Sequence, residues 1–409
     1  MDDAAPPPYP LPAGVSAVPR TQLDLRPDAE VDAALLSPGP VRDDKNIWFF
    51  WHSGFAQMPA SGRRTVRAWH RRFAAQGWVV RVVDRQAGSA QHVGTLLDAA
   101  DERTFPRAFI DGTLGGAYAA QHASDLVRWP LLLRYGGVYA DVGLLPVGDL
   151  DRLWRATVAD PRAPWELLSF NVGGADGRNL TNYFLAARRG NPLFARCHRL
   201  LLAVWAGRAD TSGLHAHPLL RGVPLYRVGL SFDEAGTRYG PDEVDRMLSD
   251  YIVQGQVMRL VMGLVDEEDG WHGPRYVARH VYALDYAVGS QLINEMTAWD
   301  GPRQFRLLSL ALPGDDQPES DDQRLARELV EACLRRSFCF KLAHGLIVRV
   351  MGETLGSLWR KNDGADDVPG TYAHWLRYGT VHWCPDELPP RLDFTEIPPF
   401  KRGPLLREA

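Results

Sequence analysis

The sequence predicts an α/β protein in which a mixed sheet is flanked by helices, and three features of the chain point to this fold class. Two short apolar runs, residues 47–51 and 78–83, are typical of buried strands and enclose a helical pattern. A second helical pattern, closed by two glycines, leads directly into another apolar run at 138–142. The composition, 45% hydrophobic and 23% charged, is that of a globular protein with a sizeable core.

The helix between the first two strands is predicted over residues 61–76. Val66, Trp69 and Phe73 recur there at helical spacing, so one face of the helix is apolar. A strand, a helix and a strand within so short a segment predict two parallel strands joined by a right-handed crossover.

The next unit is a helix over residues 119–135, terminated by Gly136 and Gly137 and followed by the strand 138–142. Beyond it the patterns are weaker. They predict strands at 166–170 and 182–187 and helices at 192–205, 241–262, 320–335 and 340–352. Four parts follow from composition: a flexible proline-rich extension (1–45), an ordered core (46–205), a less patterned part of the same domain (206–383) and an extended proline-rich tail (384–409).

Charge and cysteine content exclude several classes of protein. The net charge of −4, from 46 basic and 50 acidic residues, argues against a nucleic-acid-binding protein. The four cysteines have no metal-site spacing and are expected to be buried or idle thiols in a reducing compartment, with one disulfide as the alternative. Because there is neither an apolar leader nor an apolar run long enough to span a membrane, we expect a soluble, cytoplasmic protein.

Three charged residues stand out near the second helix and its strand. Asp125 and Arg128 are three residues apart and so are neighbours on the helix; alone, they indicate no more than a surface ion pair. Asp141, however, is placed at the carboxyl end of an apolar strand, where ligands bind in open α/β sheets. We therefore expect a binding site between this helix and the tip of this strand.

The stretch from His122 to Asp141 resembles the DXD-containing sugar transferases, most closely the capsular-polysaccharide-synthesis-like proteins. One group of mannosyltransferases and the glucosylating clostridial toxins resemble it more distantly. Weaker matches lie upstream at 47–51 and downstream at 182–187, 191–194 and 340–345, so the resemblance extends over residues 46–345.

The resemblance implies a GT-A fold, with a Rossmann-like mixed sheet and a helical, irregular acceptor-side region. It implies a glycosyltransferase that moves a sugar, with retention, from a UDP- or GDP-sugar to a glycan or small-molecule acceptor. It also implies a divalent metal, Mn²⁺ or Mg²⁺. Residues 46–205 would bind the nucleotide sugar, and 206–383 would form the acceptor side.

The resemblance also assigns roles to individual residues. Asp125, Arg128 and Asp141 are the candidate catalytic residues; the donor would be bound by Ser124, Asp125, Arg128, Tyr139, Lys341 and His344, with Trp48 or Trp51 stacking on the nucleobase. Asp141 and His344 are the candidate metal ligands. For the two tryptophans, core packing is the alternative, and His344 and Lys341 have structural alternatives as well.

The sequence departs from the family at one position, because Gly143 stands where the second acid of the DXD motif would be. Three outcomes remain open. Water and His344 complete the shell of a metal, or Arg128 and Lys341 replace the metal on the diphosphate, or the scaffold serves another purpose. The last would make the chain a different enzyme acting on a small natural product, or a non-catalytic carbohydrate-binding protein.

Overall fold

The structure is a computed structural model that describes residues 8–173, 179–314 and 317–405. Its strands are β1 (Val15–Ala17), β2 (Asn46–Phe50), β3 (Val79–Val83), β4 (Gly137–Ala140), β5 (Leu144–Pro146), β6 (Leu167–Asn171), β7 (Phe184–Ala187), β8 (Phe232–Glu234), β9 (Thr237–Tyr239), β10 (Leu264–Asp266), β11 (Trp271–His272), β12 (Val281–Asp285), β13 (Cys339–Lys341), β14 (Trp383–Pro385) and β15 (Lys401–Arg402).

The α-helices are α1 (Asp28–Leu36), α2 (Ala60–Phe73), α3 (Val93–Leu96), α4 (Arg107–Ile110), α5 (Ala119–Tyr135), α6 (Leu150–Ala156), α7 (Pro192–Trp205), α8 (Pro241–Tyr251), α9 (Val253–Met262), α10 (Gly273–His280), α11 (Tyr286–Ser290), α12 (Leu292–Met296), α13 (Gly301–Leu308), α14 (Asp321–Arg336), α15 (Leu346–Met351), α16 (Leu355–Lys361) and α17 (Tyr372–His382). None of these helices is both long and apolar enough to cross a bilayer.

The central sheet has six strands in the order β12-β6-β7-β4-β2-β3. β2 pairs in parallel with β3 and β4, and β6 pairs in parallel with β12, whereas β7 is antiparallel to both of its neighbours. Five strands therefore run in one direction and β7 runs against them. The prediction of a mixed α/β fold is confirmed, and so is the parallel pairing of the first two core strands.

Both faces of the sheet are covered by helices. Along β2, Ile47 and Phe49 join a core with α1, α2 and α6, while Trp48 and Phe50 join a core with α5, α7 and α9 on the opposite face. This alternation follows from the two-residue period of a strand, and burial on both faces explains why the run is entirely apolar. A third core is formed by α12 to α14, α16 and α17.

The N-terminal segment differs from the flexible extension that its composition predicted. β1 pairs with β14, and Tyr9 is buried with its ring stacked on Trp375. Val31 and Leu35 of α1 are fully buried in the core that α1 shares with α2. Composition did not indicate this packing, because the residues that this polar segment contacts lie in distant parts of the chain. Residues 1–7 of the expected extension lie outside the described residues, as do 406–409 of the expected tail.

Two predicted helices also differ from the structure. The helix predicted at 241–262 is two helices, α8 and α9, because the backbone leaves the helical region at Ile252 (ψ 40°). Position 252 is neither glycine nor proline, so the sequence did not indicate a break there. The helix predicted at 340–352 begins as a strand, since β13 pairs with the distant β5, and only α15 is helical. The other domain boundaries stay predictions.

Candidate active site

The helix α5 and the strand β4 bring the first three charged residues together. Between them, Gly136 and Gly137 both adopt positive φ angles (69° and 93°). A Cβ atom at Gly137 would lie 2.4 Å from the carbonyl oxygen of Asn46, so β4 starts in direct backbone contact with the segment that enters β2. The glycine pair thus reverses the chain sharply enough for the tip of β4 to face the first turns of α5.

Arg128 is the centre of this group. Its guanidinium lies 2.7 Å from Oδ1 of Asp125 and 3.5 Å from Oδ1 of Asp141, and it donates a hydrogen bond to Ser124 Oγ at 3.1 Å. It also donates to the backbone carbonyl of Asn182. A guanidinium that is held on several sides is fixed in position and bridges the two carboxylates.

Tyr139 and Ser124 contact Arg128 and each other. Their hydroxyl groups are hydrogen-bonded to each other at 2.6 Å, and the Tyr139 ring lies under the Arg128 guanidinium at 4.7 Å from the ring centroid. Tyr139 is fully buried, so its ring is part of the core as well as of the site. These two residues orient Arg128 through a hydrogen bond and a cation–π contact.

Lys341 approaches the same carboxylate from the C-terminal part of the chain. β13 pairs antiparallel with β5, which sets Lys341 opposite Leu144, just after the tip of β4. Its Nζ donates a hydrogen bond of 2.8 Å to Oδ2 of Asp141. Asp141 is therefore flanked by a guanidinium on one oxygen and an ammonium on the other.

The two carboxylates differ in environment. Burial raises the pKa of Asp125 to about 7; Arg128 opposes this shift and the charge of Asp141 adds to it. Asp141 is more exposed, with 27% of its side chain accessible. Perturbed carboxyl groups of this kind in a cleft mark candidate functional sites.

These residues open into a large cavity of about 850 Å³. Ser124, Asp125, Arg128, Tyr139, Asp141, Lys341 and His344 all line it, together with Trp51. A volume of this size is in the range of small-molecule and cofactor pockets. The structure thus brings together, in one cavity, the predicted site residues with a single exception.

The exception is Trp48. It is fully buried in the core, its Nε1 donates to the carbonyl oxygen of Gly136 at 2.9 Å, and it does not line the cavity. The proposed stacking of Trp48 on a base is therefore wrong, because its side chain points into the core around α5, where it serves to anchor the glycine turn. Trp51, just beyond the end of β2, stays available at the cavity wall and has Arg360 at 5.8 Å from its ring centroid.

Several residues in the cavity wall or in contact with it had no assignment from the sequence. Asn182 donates to Asp125 Oδ1 at 3.3 Å, and Gln254 of α9 donates to the Asp125 carbonyl oxygen at 2.9 Å. No local signal set Gln254 apart, because α9 also contains Gln256 and Arg259. Tyr251 and Arg360 reach the cavity only through the packing of α8 and α16, for which no local pattern exists.

The described residues do not fit a divalent metal ion. Both oxygens of Asp141 already face cations, and a Cβ atom at Gly143 would lie 2.9 Å from the Leu342 carbonyl oxygen and 3.3 Å from the His344 ring. Burial lowers the pKa of His344 well below its usual range, and Arg360 and Lys341 lower it further, so the imidazole is neutral and adds no negative charge to the site. Among the residues that the structure describes, no three His, Cys, Asp or Glu side chains converge. A divalent ion at the two candidate ligands would have Asp141 as its one protein carboxylate, already engaged by two cations, and would depend on water and substrate for its other oxygen ligands.

Comparison with known proteins places this site in a family. Residues 33–212 match the model of the family described as capsular polysaccharide synthesis protein. The chain is 32% identical to the O-glycosyltransferase braB of Annulohypoxylon truncatum, over 91% of this chain and 88% of that protein. It is 34% identical to the glycosyltransferase afumC of Aspergillus fumigatus (86% and 88%) and 32% identical to the O-glycosyltransferase PaGT of Phomopsis amygdali (91% and 90%).

Similarity that extends over nearly the whole length of these proteins defines the class of the molecule, an α/β transferase that acts on sugars. The chain belongs to the family of capsular-polysaccharide-synthesis-like glycosyltransferases.

Proposed function

We infer that this protein transfers a sugar from a UDP- or GDP-sugar to a hydroxyl group of a small acceptor, with retention at the anomeric carbon, on a sheet of the GT-A type. The observation that carries this inference is the placement of Asp125, Arg128, Asp141 and Lys341 in one cavity at the carboxyl end of β4. Paired carboxylates suit sugar hydroxyl groups, and paired cations suit a diphosphate. The family relationship favours sugar transfer over the other enzyme and binding roles that the sequence left open.

The donor is oriented by groups on both sides of its scissile bond. Asp125 accepts hydrogen bonds from hydroxyl groups of the donor sugar, Arg128 and Lys341 face the diphosphate, and Trp51 offers an aromatic wall to the nucleobase. Fixed charges aimed at the leaving group interact with it more strongly as negative charge builds up on it, and this difference lowers the barrier.

The chemical step exchanges one carbon–oxygen bond for another. The bond between the anomeric carbon and the phosphate oxygen breaks, and its electron pair moves onto the leaving diphosphate. The acceptor oxygen bonds to the anomeric carbon from the same face, and its proton passes to the leaving phosphate oxygen. The products are the glycoside and the nucleoside diphosphate, and the step needs no covalent protein intermediate.

Aliphatic side chains along part of the cavity favour a small, apolar acceptor. Val228 and Leu230 lie on a segment whose backbone is tied to α8, where Val228 N donates to Asp245 Oδ1 at 2.9 Å. Ile347 and Val350 of α15 face the same cavity. Because a glycan would require hydrogen-bonding side chains along this wall, its aliphatic character favours a hydrophobic molecule that carries a hydroxyl group.

A donor screen tests the proposal. We expect one or more UDP- or GDP-sugars to raise the melting temperature and to be slowly hydrolysed, as followed by mass spectrometry with and without Mn²⁺. Asp125→Asn and Asp141→Asn should each reduce turnover roughly 10- to 150-fold, the value of a hydrogen bond to a charged group. The exposed Asp363→Asn is the matched control.

Two results would contradict the proposal. The first is that no donor in the panel produces either a thermal shift or hydrolysis under any metal condition. The second is near-normal turnover in both Asp125→Asn and Asp141→Asn, which would show that the chemistry takes place elsewhere.

A further inference from the structure

The charges that line the cavity have a positive surplus. In its described lining, two carboxylates, Asp125 and Asp141, stand against three cations, Arg128, Lys341 and Arg360. A divalent cation that entered this group would add to the surplus, whereas a diphosphate would be attracted to it. The electrostatics of the cavity therefore favour an anionic ligand over a metal ion.

Contacts with two neighbouring side chains hold the Lys341 ammonium group in the cavity wall. Its Nζ lies 2.8 Å from Oδ2 of Asp141 and 5.2 Å from the centroid of the Tyr183 ring, and only 13% of its side chain is exposed. The pairing of β13 with β5 sets the backbone of Lys341 beside the tip of β4. An ammonium group thus occupies one oxygen of the carboxylate that would otherwise be free to hold a metal ion.

The backbone that positions Lys341 also leaves no room for a second acid. Leu342 N donates to the carbonyl oxygen of Gly143 at 2.7 Å, and a Cβ atom at Gly143 would lie 2.9 Å from the carbonyl oxygen of Leu342. A carboxylate at position 143 would push this segment away, and Lys341 with it. In this chain, therefore, the glycine at position 143 allows the close approach of the segment that carries Lys341.

We propose that Lys341, together with Arg128, neutralises the donor diphosphate in place of a divalent metal, so that this protein transfers its sugar without a bound metal ion. The inference rests on the proposed function. As the anomeric bond breaks, Lys341 Nζ–H and the Arg128 guanidinium donate hydrogen bonds to the phosphate oxygens that receive the electron pair. Asp141 holds the ammonium in place during the step.

Nucleotide binding and turnover test the inference independently. The affinities of UDP, GDP and their monophosphates are measured by calorimetry in EDTA and in Mn²⁺, and the turnover of the donor found in the screen is measured in the same buffers. We expect the wild-type values in the two buffers to agree within about twofold. Lys341→Met should weaken diphosphate binding roughly tenfold or more and monophosphate binding less, since a charged hydrogen bond is lost.

Two further variants make the result specific. Lys341→Arg keeps the positive charge and should retain most of the diphosphate affinity. Lys361→Met removes a lysine charge outside the cavity, from a side chain that is 62% exposed, and should leave binding and turnover unchanged. Circular dichroism establishes that each variant is folded.

The outcomes separate this inference from the proposed function. A wild-type protein that binds diphosphate or turns over donor only with Mn²⁺ overturns the inference and leaves glycosyl transfer standing. A folded Lys341→Met variant with normal diphosphate affinity overturns it as well. If Lys341→Met does not fold, the comparison of EDTA with Mn²⁺ in the wild type decides. Failure to bind any nucleotide in either buffer removes the proposed function, and the inference with it.

Discussion

At the scale of single residues, Asp125 shows how burial and charge compete. Its side chain is almost completely enclosed, with Arg128 at 2.7 Å and the Asn182 amide at 3.3 Å. Removal from water disfavours the carboxylate more than Arg128 favours it, and the pKa rises to about 7. Near neutral pH the carboxyl group therefore exchanges between its protonated and ionised forms, unlike an ordinary aspartate.

This shift makes the stability of the protein depend on pH in a definite direction. Because the pKa of Asp125 is about 7 in the folded protein and about 4 in the unfolded chain, the folded state binds the proton more tightly between those values. The contribution of Asp125 to the free energy of unfolding is therefore fully present below about pH 4 and is lost as the pH rises to about 7. We expect Asp125→Asn to lose less stability than the wild type over this interval, as measured by urea denaturation.

The comparison of slopes is decisive for Asp125. If the free energies of unfolding of the wild type and of Asp125→Asn fall in parallel between about pH 4 and pH 7, the carboxyl group titrates normally in the folded protein. Asp363→Asn, which changes an exposed carboxyl group, should follow the wild-type curve.

At the scale of elements, the turn between α5 and β4 determines whether the site forms. Gly136 and Gly137 allow the chain to leave the helix and enter the sheet within two residues, and the second of them touches the backbone of residues 44 and 46. Both glycines have positive φ angles, which are energetically unfavourable for a residue with a side chain. The glycines are therefore required by geometry, and the position of Asp141 depends on them.

Gly137→Ala should be strongly destabilising, and Gly190→Ala is its matched control. Both glycines have positive φ angles, 93° and 73°, but a Cβ atom would lie 2.4 Å from a backbone oxygen at Gly137 and would meet nothing within 4 Å at Gly190. We expect a loss of about 1–2 kcal/mol for Gly190→Ala from the backbone conformation alone. Gly137→Ala should cost about 3 kcal/mol or more, since a steric clash is added. Equal costs in urea denaturation would contradict this account.

At the scale of the whole molecule, segments from the N-terminal and C-terminal parts of the described chain pair with each other. β1 pairs with β14, and Ser16 Oγ donates to Asp386 Oδ1 at 2.5 Å. Tyr9 is buried against α17. The amide of Gly370, just before this helix, donates a hydrogen bond to the Tyr9 hydroxyl oxygen at 3.0 Å. The N-terminal segment thus completes the C-terminal helical core, which also contains Phe340 and Leu342, the neighbours of Lys341.

Tyr9→Ala should therefore destabilise the protein although the residue lies in a proline-rich, polar segment. We expect a loss of about 3–5 kcal/mol, as for other large buried aromatic side chains. Tyr9→Phe should cost about 1 kcal/mol, because only the hydroxyl contacts are lost. Leu11→Ala, at a side chain that is 45% exposed, should change stability by less than about 0.5 kcal/mol. A Tyr9→Ala variant as stable as the wild type in urea would show that this segment does not contribute to the fold.

Local patterns in the sequence determined the parts of this protein that depend on near neighbours. The helix α5, its glycine terminator and the strand β4 follow one another, so the proximity of Asp125, Arg128 and Asp141 is a consequence of helix and strand periodicity. The burial of the sheet on both faces could also be predicted, because the four residues 47–50 of β2 are all apolar, as is typical of a strand whose two faces are covered.

Tertiary structure alone decided which distant segments complete the site. Trp48 and Trp51 are equivalent in the sequence, yet one anchors the core and the other lines the cavity, because they lie on different faces and at different distances from the strand end. Lys341 reaches Asp141 only because β13 pairs with β5, and residues 15–17 join the fold through the pairing of β1 with β14. Such pairings are set by the free energy of the whole fold, in which partners far apart along the chain compete, and no local periodicity encodes them.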